Sequence, residues 1–182
     1  MAPGNQALHD HLRRTLQQQR GLVSLGRRHR APWGISESGY YAFDAALNYQ
    51  YRAFGVPGLG FKRDLGEDLV VAPYASLLAL PIRPRDVVDN IAHLSRLDML
   101  GTYGLYEAVD FTPKRLALGN KYAVVRSYMA HHQGMIFLAL ANYLLDNPGG
   151  MARRFHADPR TRSVELILQE KAPLDAPIEQ PG

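Results

Sequence analysis

The chain has 182 residues, 46% of them hydrophobic and 21% charged, which are ordinary values for a soluble globular protein with one core. It contains no cysteine, so a disulfide framework and a thiolate zinc site are both excluded. The sequence has no apolar run of about 18 residues, the length of a membrane span, and no signal-peptide core at its N-terminus. The composition therefore predicts a single soluble domain.

The net charge of +4 is unevenly distributed along the chain. Residues 1–30 carry six arginines against one acid, Asp10, and so hold a net +5, which leaves −1 for the remainder. A basic segment can bind phosphate groups or lipid headgroups, but it is more often the solvated face of a surface helix. Nucleic acid binding is therefore not the predicted function.

Helical periodicity is the main secondary-structure signal. In chain order it predicts helices at residues 5–20, 40–54, 73–80, 86–100, 126–145 and 160–171, with a short strand at residues 69–71. In the second of these helices, aromatic and aliphatic residues recur at steps of three and four. Because strand signals are few and short, the predicted fold class is all-α, with long loops between the helices.

Residues 32–41 have the composition of a functional loop that enters a helix. Gly34 and Gly39 permit backbone angles that other residues avoid, and Glu37 would lie near the positive N-terminal end of the following helix. A carboxylate in such a loop is a candidate catalytic group. The alternative is an ordinary helix start, in which Ser36 caps the helix and Glu37 only complements its dipole.

Several aromatic and polar side chains could form a substrate-binding wall. Tyrosine and tryptophan present a flat apolar face with a polar group, a combination that suits sugar binding, although the same residues often form a core. A second glycine-rich aromatic loop, residues 101–107, carries Glu107. The predicted substrate-binding residues are Trp33, Tyr40, Tyr41, Asp44, Tyr106, His131, His132 and Gln133.

The adjacent His131 and His132 do not have the spacing of a metal site. Neighbouring helix positions point about 100° apart, and the residues one turn away, Met135 and Ile136, are not ligands. No HExxH pattern is present, so neither a metal nor another cofactor is predicted. These residues could bind sugar hydroxyls at the start of a helix, or a histidine here could simply be buried and hydrogen-bonded.

Five segments of the chain resemble the glycoamylase-like domain of bacterial cyclic β-1,2-glucan synthases, and they occur in that family's order. They are PWGISESGYYAFDAALNYQYRAFGVPGLG, DLVVAPYASLLALP, GTYGLYEAVDFTP, SYMAHHQGM and RRFHADPR. The resemblance covers residues 27–173. Residues 1–26 form a loosely matching basic helical lead-in, and residues 174–182 form a linker tail.

The resemblance implies part of an (α/α)6 toroid that performs retaining transglycosylation, in which a linear β-1,2-glucan is cut and its ends are joined into a ring. The family's synthases are very large inner-membrane proteins, with a glycosyltransferase region before this domain and a phosphorylase-like region after it. The implied partners are therefore the glucan and those other domains, on the cytoplasmic side of the bacterial inner membrane. Because the family's domain begins upstream, we interpret the chain as its C-terminal portion.

Glycosyl transfer requires two carboxyl groups, about 5–5.5 Å apart in retaining enzymes and about 6.5–9.5 Å apart in inverting ones. Ring closure favours the covalent, retaining route, because the enzyme must hold a glycosyl group until a sugar hydroxyl attacks. Glu37 is the predicted nucleophile. The resemblance implies a special role for it, because glycoamylase-like relatives that only hydrolyse lack a glutamate here. Glu107 is either the acid/base or, as we prefer, a ligand for a sugar hydroxyl, with the acid/base upstream. Asp44, Glu67, Asp68 and Asp110 are weaker candidates.

Two other functions fit the same residues. A non-catalytic glucan-binding module would retain the cleft wall without the chemistry. An inverting β-1,2-glucanase would hydrolyse the chain with no covalent intermediate. A second catalytic carboxylate in the neighbouring sequence would exclude the binding module. The products formed from linear β-1,2-glucan would distinguish the glucanase from the binding module.

Overall fold

A computed structural model describes residues 32–55, 68–145 and 150–165. Its strands are β1 (Ser38–Phe43), β2 (Tyr49–Arg52), β3 (Val70–Val71), β4 (Leu100–Gly101), β5 (Gly104–Leu105), β6 (Ala108–Asp110) and β7 (Ala123–Val125). Its helices are α1 (Pro73–Leu77), α2 (Pro84–Ser95), α3 (Ala130–Leu144), α4 (Gly150–Ala157) and α5 (Pro159–Glu165), with a 3-10 turn at Pro113–Arg115. The predicted helix at 5–20, Glu67 and the proposed linker tail lie outside the described residues.

A three-stranded antiparallel sheet, in the order β3-β6-β7, organises the core. Successive side chains in a strand point to opposite faces, and both faces of this sheet are buried. Val71 and Val109 belong to the larger apolar cluster with Trp33, which also receives side chains from α1 and α2. Val70 and Val125 belong to a second cluster on the other face. The short strand predicted at 69–71 is confirmed as Val70–Val71.

The helix predicted over residues 40–54 is wrong, because this segment is the antiparallel hairpin β1–β2. Tyrosine and phenylalanine favour strands, and here they pack on the second cluster across the sheet. The hairpin loop supplies its own stabilisation: Asp44 Oδ1 accepts the backbone N–H groups of Ala46 and Asn48, each at 2.9 Å. Leu47 adopts a positive φ of 62° in the same loop. The aromatic and aliphatic residues that recur every three or four positions in this segment therefore do not form a helical face.

Helices predicted at 73–80, 86–100 and 126–145 are present with somewhat different bounds, and the one predicted at 160–171 is described only as far as Glu165. The helix Gly150–Ala157 was not predicted. Pro73 and Pro84 each lie in the first turn of a helix, where a missing N–H costs nothing. The predicted 126–145 helix begins four residues later, at Ala130, and is the longest described. Helices hold more of the described residues than strands do, but the all-α expectation is corrected by the hairpins and the small sheet.

Within the described ranges, no helix combines the length and the apolar composition needed to cross a membrane.

Candidate functional site

The loop before β1 is held in place by buried hydrogen bonds from two helices. The Trp33 N–H donates to Asn90 Oδ1 at 2.9 Å, and Asn90 Nδ2 donates back to the Trp33 carbonyl oxygen at 2.8 Å. Ser76 Oγ donates to the same carbonyl. Gly34, with a φ of 125°, accepts the Ala72 N–H at 2.8 Å and leaves no room for a side chain against Ser76. The loop that carries Glu37 is therefore rigidly attached to α1 and α2.

Glu37 is exposed at the end of this loop. The Tyr74 hydroxyl lies 2.8 Å from Ser36 Oγ and donates to the Glu37 carbonyl oxygen at 3.0 Å, so α1 positions the backbone on which the carboxylate stands. Burial raises the pKa of the Tyr74 hydroxyl, and the negative charges of Glu37 and Glu107 contribute to that increase. Glu37 is thus a solvent-accessible carboxylate whose backbone is held by a protonated phenol.

Glu107 is buried, with 3% of its surface exposed, and its carboxylate is used within the protein. Both carboxylate oxygens lie 2.9 Å from His132 Nδ1, and Oε1 also accepts the Gly39 N–H at 3.0 Å. A side chain at Gly39 would lie only 3.2 Å from Glu107 Cγ. Because the carboxylate is an acceptor, the Nδ1 atom of His132 carries the proton. Glu107 therefore orients His132 and does not face the solvent.

Tyr51 connects this buried pair to the surface. Its hydroxyl oxygen lies 3.4 Å from His132 Nε2, the ring nitrogen on the side away from Glu107. Burial raises the pKa of the Tyr51 hydroxyl to about 12, and the negative charges of Glu37 and Glu107 add to this increase. The rings of His131 and Tyr51 have their centroids 6.4 Å apart. Tyr51 thus stays protonated, and its exposed side chain lies between the buried Glu107–His132 pair and the solvent.

Three of the predicted sugar contacts make packing or hydrogen-bond contacts within the chain. Trp33 is 6% exposed and belongs to the core, so it has no free face for a sugar ring. Tyr40 packs on the second cluster, with the Arg115 guanidinium 4.9 Å from its ring centroid. Asp44 caps the hairpin loop, where hydrogen bonds from Asn48 lower the pKa of its carboxyl. These three side chains are structural.

Four of the other predicted contacts, Tyr41, Tyr106, His131 and Gln133, are not fully buried. Tyr41 is partly buried against Phe43, and His131 is exposed at the start of α3. The Tyr106 ring packs against Tyr128 at a tilt of 35°, with ring centroids 5.1 Å apart. Gln133 Nε2 donates to the Leu105 carbonyl oxygen at 3.0 Å, which fixes the side chain and leaves its amide oxygen available. His132 is buried and hydrogen-bonded, which is the alternative that the sequence left open to sugar binding.

The weaker candidates Asp68 and Asp110 form a structural ion cluster. Arg115 bridges them, at 2.6 Å from Asp68 and 2.7 Å from Asp110. Arg52 and Lys114 also pair with Asp68, each at 2.9 Å. Burial alone would raise the pKa of Asp68, but hydrogen bonds from Arg115 and Lys114 outweigh it and lower the pKa. Both carboxylates are therefore engaged in ion pairs within the protein.

Among the described residues, no group of three or more His, Asp or Glu side chains could hold a metal ion.

Two residues of this site, Tyr51 and Tyr74, were not among the sequence-predicted contacts. Tyr51 had been assigned to an apolar helix face, and Tyr74 to a short helix near no candidate group. Tyr51 lies 81 residues from its partner His132, and Tyr74 lies 38 residues from Ser36. Pairing at such separations leaves no periodic signal in a single sequence. Only the hairpin and the sheet bring these groups together.

Comparison with known proteins places the chain in a family. The model of the Glycoamylase family, described as "Putative glucoamylase", matches residues 24–159, and the chain belongs to that family. It is 51% identical over 156 residues to the cyclic beta-(1,2)-glucan synthase NdvB of Rhizobium meliloti (strain 1021), and the match covers 86% of this chain. The same match covers 5% of that synthase, so the chain spans only a small part of its curated relative.

Solved structures share the fold at low sequence identity. An endo-beta-1,2-glucanase from Chitinophaga pinensis, solved with sophorotriose and glucose, matches 86% of this chain and 34% of its own, with a TM-score of 0.52 and 22% identity. A "putative glucoamylase" from Bacteroides uniformis ATCC 8492 matches 88% of this chain and 34% of its own, with a TM-score of 0.54 and 20% identity. The chain thus corresponds to about one third of each of these larger structures.

Proposed function

We propose that this chain is the nucleophile-bearing part of a β-1,2-glucan transglycosylase domain and that Glu37 is its nucleophile. The observation that carries the proposal is an exposed carboxylate on a loop fixed by buried hydrogen bonds to Ser76 and Asn90. The identity to a cyclic β-(1,2)-glucan synthase supports the choice of glucan. The domain closes as an (α/α)6 toroid, completed by sequence outside the described residues.

In the first step, a Glu37 carboxylate oxygen attacks the anomeric carbon of one glucose unit and the glycosidic bond breaks. The departing oxygen takes its proton from a general acid. In the second step, a hydroxyl from the other end of the glucan attacks the same carbon, returns a proton to that acid, and releases the Glu37 carboxylate. Bonds formed and broken balance, so cyclisation needs no further reactant.

The general acid comes from outside the described residues. Glu107, the rival within the chain, is buried and bound to His132 and Gly39, so its carboxylate has no path to a leaving oxygen in this arrangement. Tyr41, Tyr106 and His131 are the contacts that we retain for the sugar rings and hydroxyls. The remaining partners are the other domains of a larger synthase, at the cytoplasmic side of a bacterial inner membrane.

The test uses the full-length protein that carries this segment, supplied with linear β-1,2-glucan. Glutamine has the shape of glutamate but not its charge, so Glu37→Gln should abolish both ring formation and the trapped glycosyl-enzyme. Asp89→Asn, which removes an exposed carboxylate from α2, should leave both intact. Rings formed by Glu37→Gln would overturn the assignment of the nucleophile.

The products from the unsubstituted protein decide between the remaining functions. Rings support the transglycosylase. Shorter linear chains without rings identify a hydrolase, and bound but unchanged glucan identifies a binding module. Either of the last two results contradicts the proposal.

A further inference from the structure

Three tyrosine rings meet at the β4–β5 hairpin, and we call them the tyrosine cluster. The rings of Tyr103 and Tyr128 have centroids 5.6 Å apart and planes 80° apart. Tyr106 packs against Tyr128, with centroids 5.1 Å apart and planes 35° apart. Tyr103 lies in the turn between the two strands and is 81% exposed. The cluster therefore presents one aromatic ring almost entirely to the solvent.

The backbone of β4 is shaped to admit these rings. A side chain at Gly101 would clash with the Tyr128 hydroxyl and would lie 2.5 Å from Tyr106 Cζ. A residue without a side chain therefore lets both rings pack over the strand. The Tyr103 N–H also donates to the Tyr128 hydroxyl oxygen at 3.4 Å, which joins the turn to the same ring. The cluster is thus fixed from the inside, although its outermost ring is open.

The exposed ring of Tyr103 contributes little to the stability of the fold. Burial of apolar surface stabilises a protein by about 25 cal/mol per Å², and a residue that is 81% exposed has buried little of it. A ligand that covers the ring gains that contribution on binding instead. An exposed aromatic ring held in one place by its neighbours is therefore suited to recognition.

Arg126 adds hydrogen-bond donors beside the cluster. Its guanidinium carbon lies 5.5 Å from the Tyr106 ring centroid, and its side chain is exposed. None of the ion pairs between described residues includes Arg126. Its N–H groups and the tyrosine hydroxyls can therefore bind a polar ligand. A sugar ring matches this combination, because its C–H groups stack on an aromatic face while its hydroxyls reach donors at the edge.

The backbone of the cluster is joined to the strand that follows Glu37. The residues next to two of the rings are Glu107 and Ser127, and the Glu107 N–H donates to the Ser127 carbonyl oxygen at 3.0 Å. The Glu107 carboxylate in turn accepts the N–H of Gly39, in β1, at 3.0 Å. Two hydrogen bonds thus connect the tyrosine cluster to β1.

We propose that the tyrosine cluster and Arg126 form a binding subsite for β-1,2-linked glucose units, with Tyr103 as the stacking platform. This inference rests on the proposed function for the choice of glucan and does not depend on the role of Glu37. The two carbons joined by a 1,2-linkage lie next to the ring junction of each unit, so the chain turns sharply, whereas a β-1,4-glucan is a flat ribbon. The 80° corner between Tyr103 and Tyr128 fits a turning chain.

The test is a titration of the 182-residue chain, labelled with fluorotyrosine, with linear β-1,2-glucan. The ¹⁹F resonance of Tyr103, identified by its loss in Tyr103→Phe, should shift as the glucan binds and give a Kd. Tyr103→Ala removes an exposed ring, so the chain should still fold and its Kd, followed at Tyr128, should rise about tenfold. Tyr103→Phe retains the ring and should change the Kd less than about twofold.

Two further variants separate the platform from a general effect. Tyr143→Ala on α3 also removes an exposed tyrosine, but one outside the cluster, and should leave the Kd unchanged. Gly101→Ala retains Tyr103 but displaces the two rings that pack on Gly101, so it should raise the Kd by about threefold or more.

Three results would overturn the subsite: an unshifted Tyr103 resonance, an unchanged Kd in Tyr103→Ala, or equal affinity for a cello-oligosaccharide, whose β-1,4 linkages make the flat ribbon. In the full-length protein, Tyr103→Ala should raise KM and change kcat less than about twofold, because the subsite does not touch the reacting atoms. If the glucan binds as described but Glu37→Gln still forms rings, the assignment of the nucleophile fails and the subsite stands. The two claims therefore fail by different results.

Discussion

The ring of Tyr74 lies flat on the ring of His132, with centroids 3.8 Å apart, while its hydroxyl contacts Ser36 and the Glu37 backbone. One side chain from α1 therefore supports both the buried imidazole and the loop with the exposed carboxylate. The Tyr74 ring contacts His132 and the Tyr74 hydroxyl contacts the loop that carries Glu37. A substitution that removes only the hydroxyl therefore separates the two roles.

Tyr74→Phe tests the hydroxyl alone. It should reduce the free energy of unfolding by about 0.5–1.5 kcal/mol, since the ring stack remains and only the hydroxyl contacts are lost. The ¹³C chemical shift of the Glu37 carbonyl should change, because this carbonyl loses a hydrogen-bond donor. Urea denaturation and NMR measure the two effects. An unchanged Glu37 resonance would show that Tyr74 does not position the loop.

Gly34→Ala should disturb the loop more strongly. The φ of 125° is unfavourable for alanine, and its Cβ would clash with Ser76 Oγ and lie 2.9 Å from the Ala72 carbonyl oxygen. We expect a loss of about 1–3 kcal/mol in the free energy of unfolding.

The control for this change is Gly134→Ala on α3, where an added Cβ meets nothing within 4 Å. There alanine should increase stability by about 0.5–1 kcal/mol through helix propensity. Equal effects at the two positions, measured by thermal or urea unfolding, would contradict the strained-loop description.

Asp68→Asn should destabilise the chain by about 3–5 kcal/mol, because it leaves the cations of the ion cluster without their shared carboxylate. The pKa of Asp68 is lowered in the folded state, so its stabilisation is present above the ordinary aspartate pKa of about 4 and is lost as the pH falls below it. Unfolding experiments between pH 2 and 6 should therefore show a weaker acid dependence in Asp68→Asn. Asp158→Asn, at an exposed pair with Arg160, should change little.

An apolar groove of about 420 Å³ lies between α2, α3 and the β4–β5 hairpin. Val88 and Leu100 line it and are 62% and 64% exposed. The isolated chain should therefore bind a hydrophobic dye and associate at high concentration. Leu100→Ser should weaken both, whereas Leu118→Ser, at an exposed position outside the groove, should not. Sedimentation as a monodisperse monomer without dye binding would contradict this expectation.

Local chemistry alone determined several features of this protein. The prolines at 73 and 84 predicted two helix starts, the valines at 70 and 71 predicted a strand, and the long apolar stretch after residue 129 predicted the longest helix. Each of these signals arises from neighbouring residues. The family assignment likewise rested on contiguous motifs, and the match to residues 24–159 confirmed it.

Tertiary structure alone decided which residues meet. Tyr40, Tyr51 and Phe54 fit a helical period equally well, and only packing against the sheet makes that segment a hairpin. Packing on the other face of the sheet buries Trp33, and the fold brings Glu107 and His132 together from 25 positions apart. The physical reason is that burial and long-range hydrogen bonds depend on how distant segments pack, which local periodicity does not record.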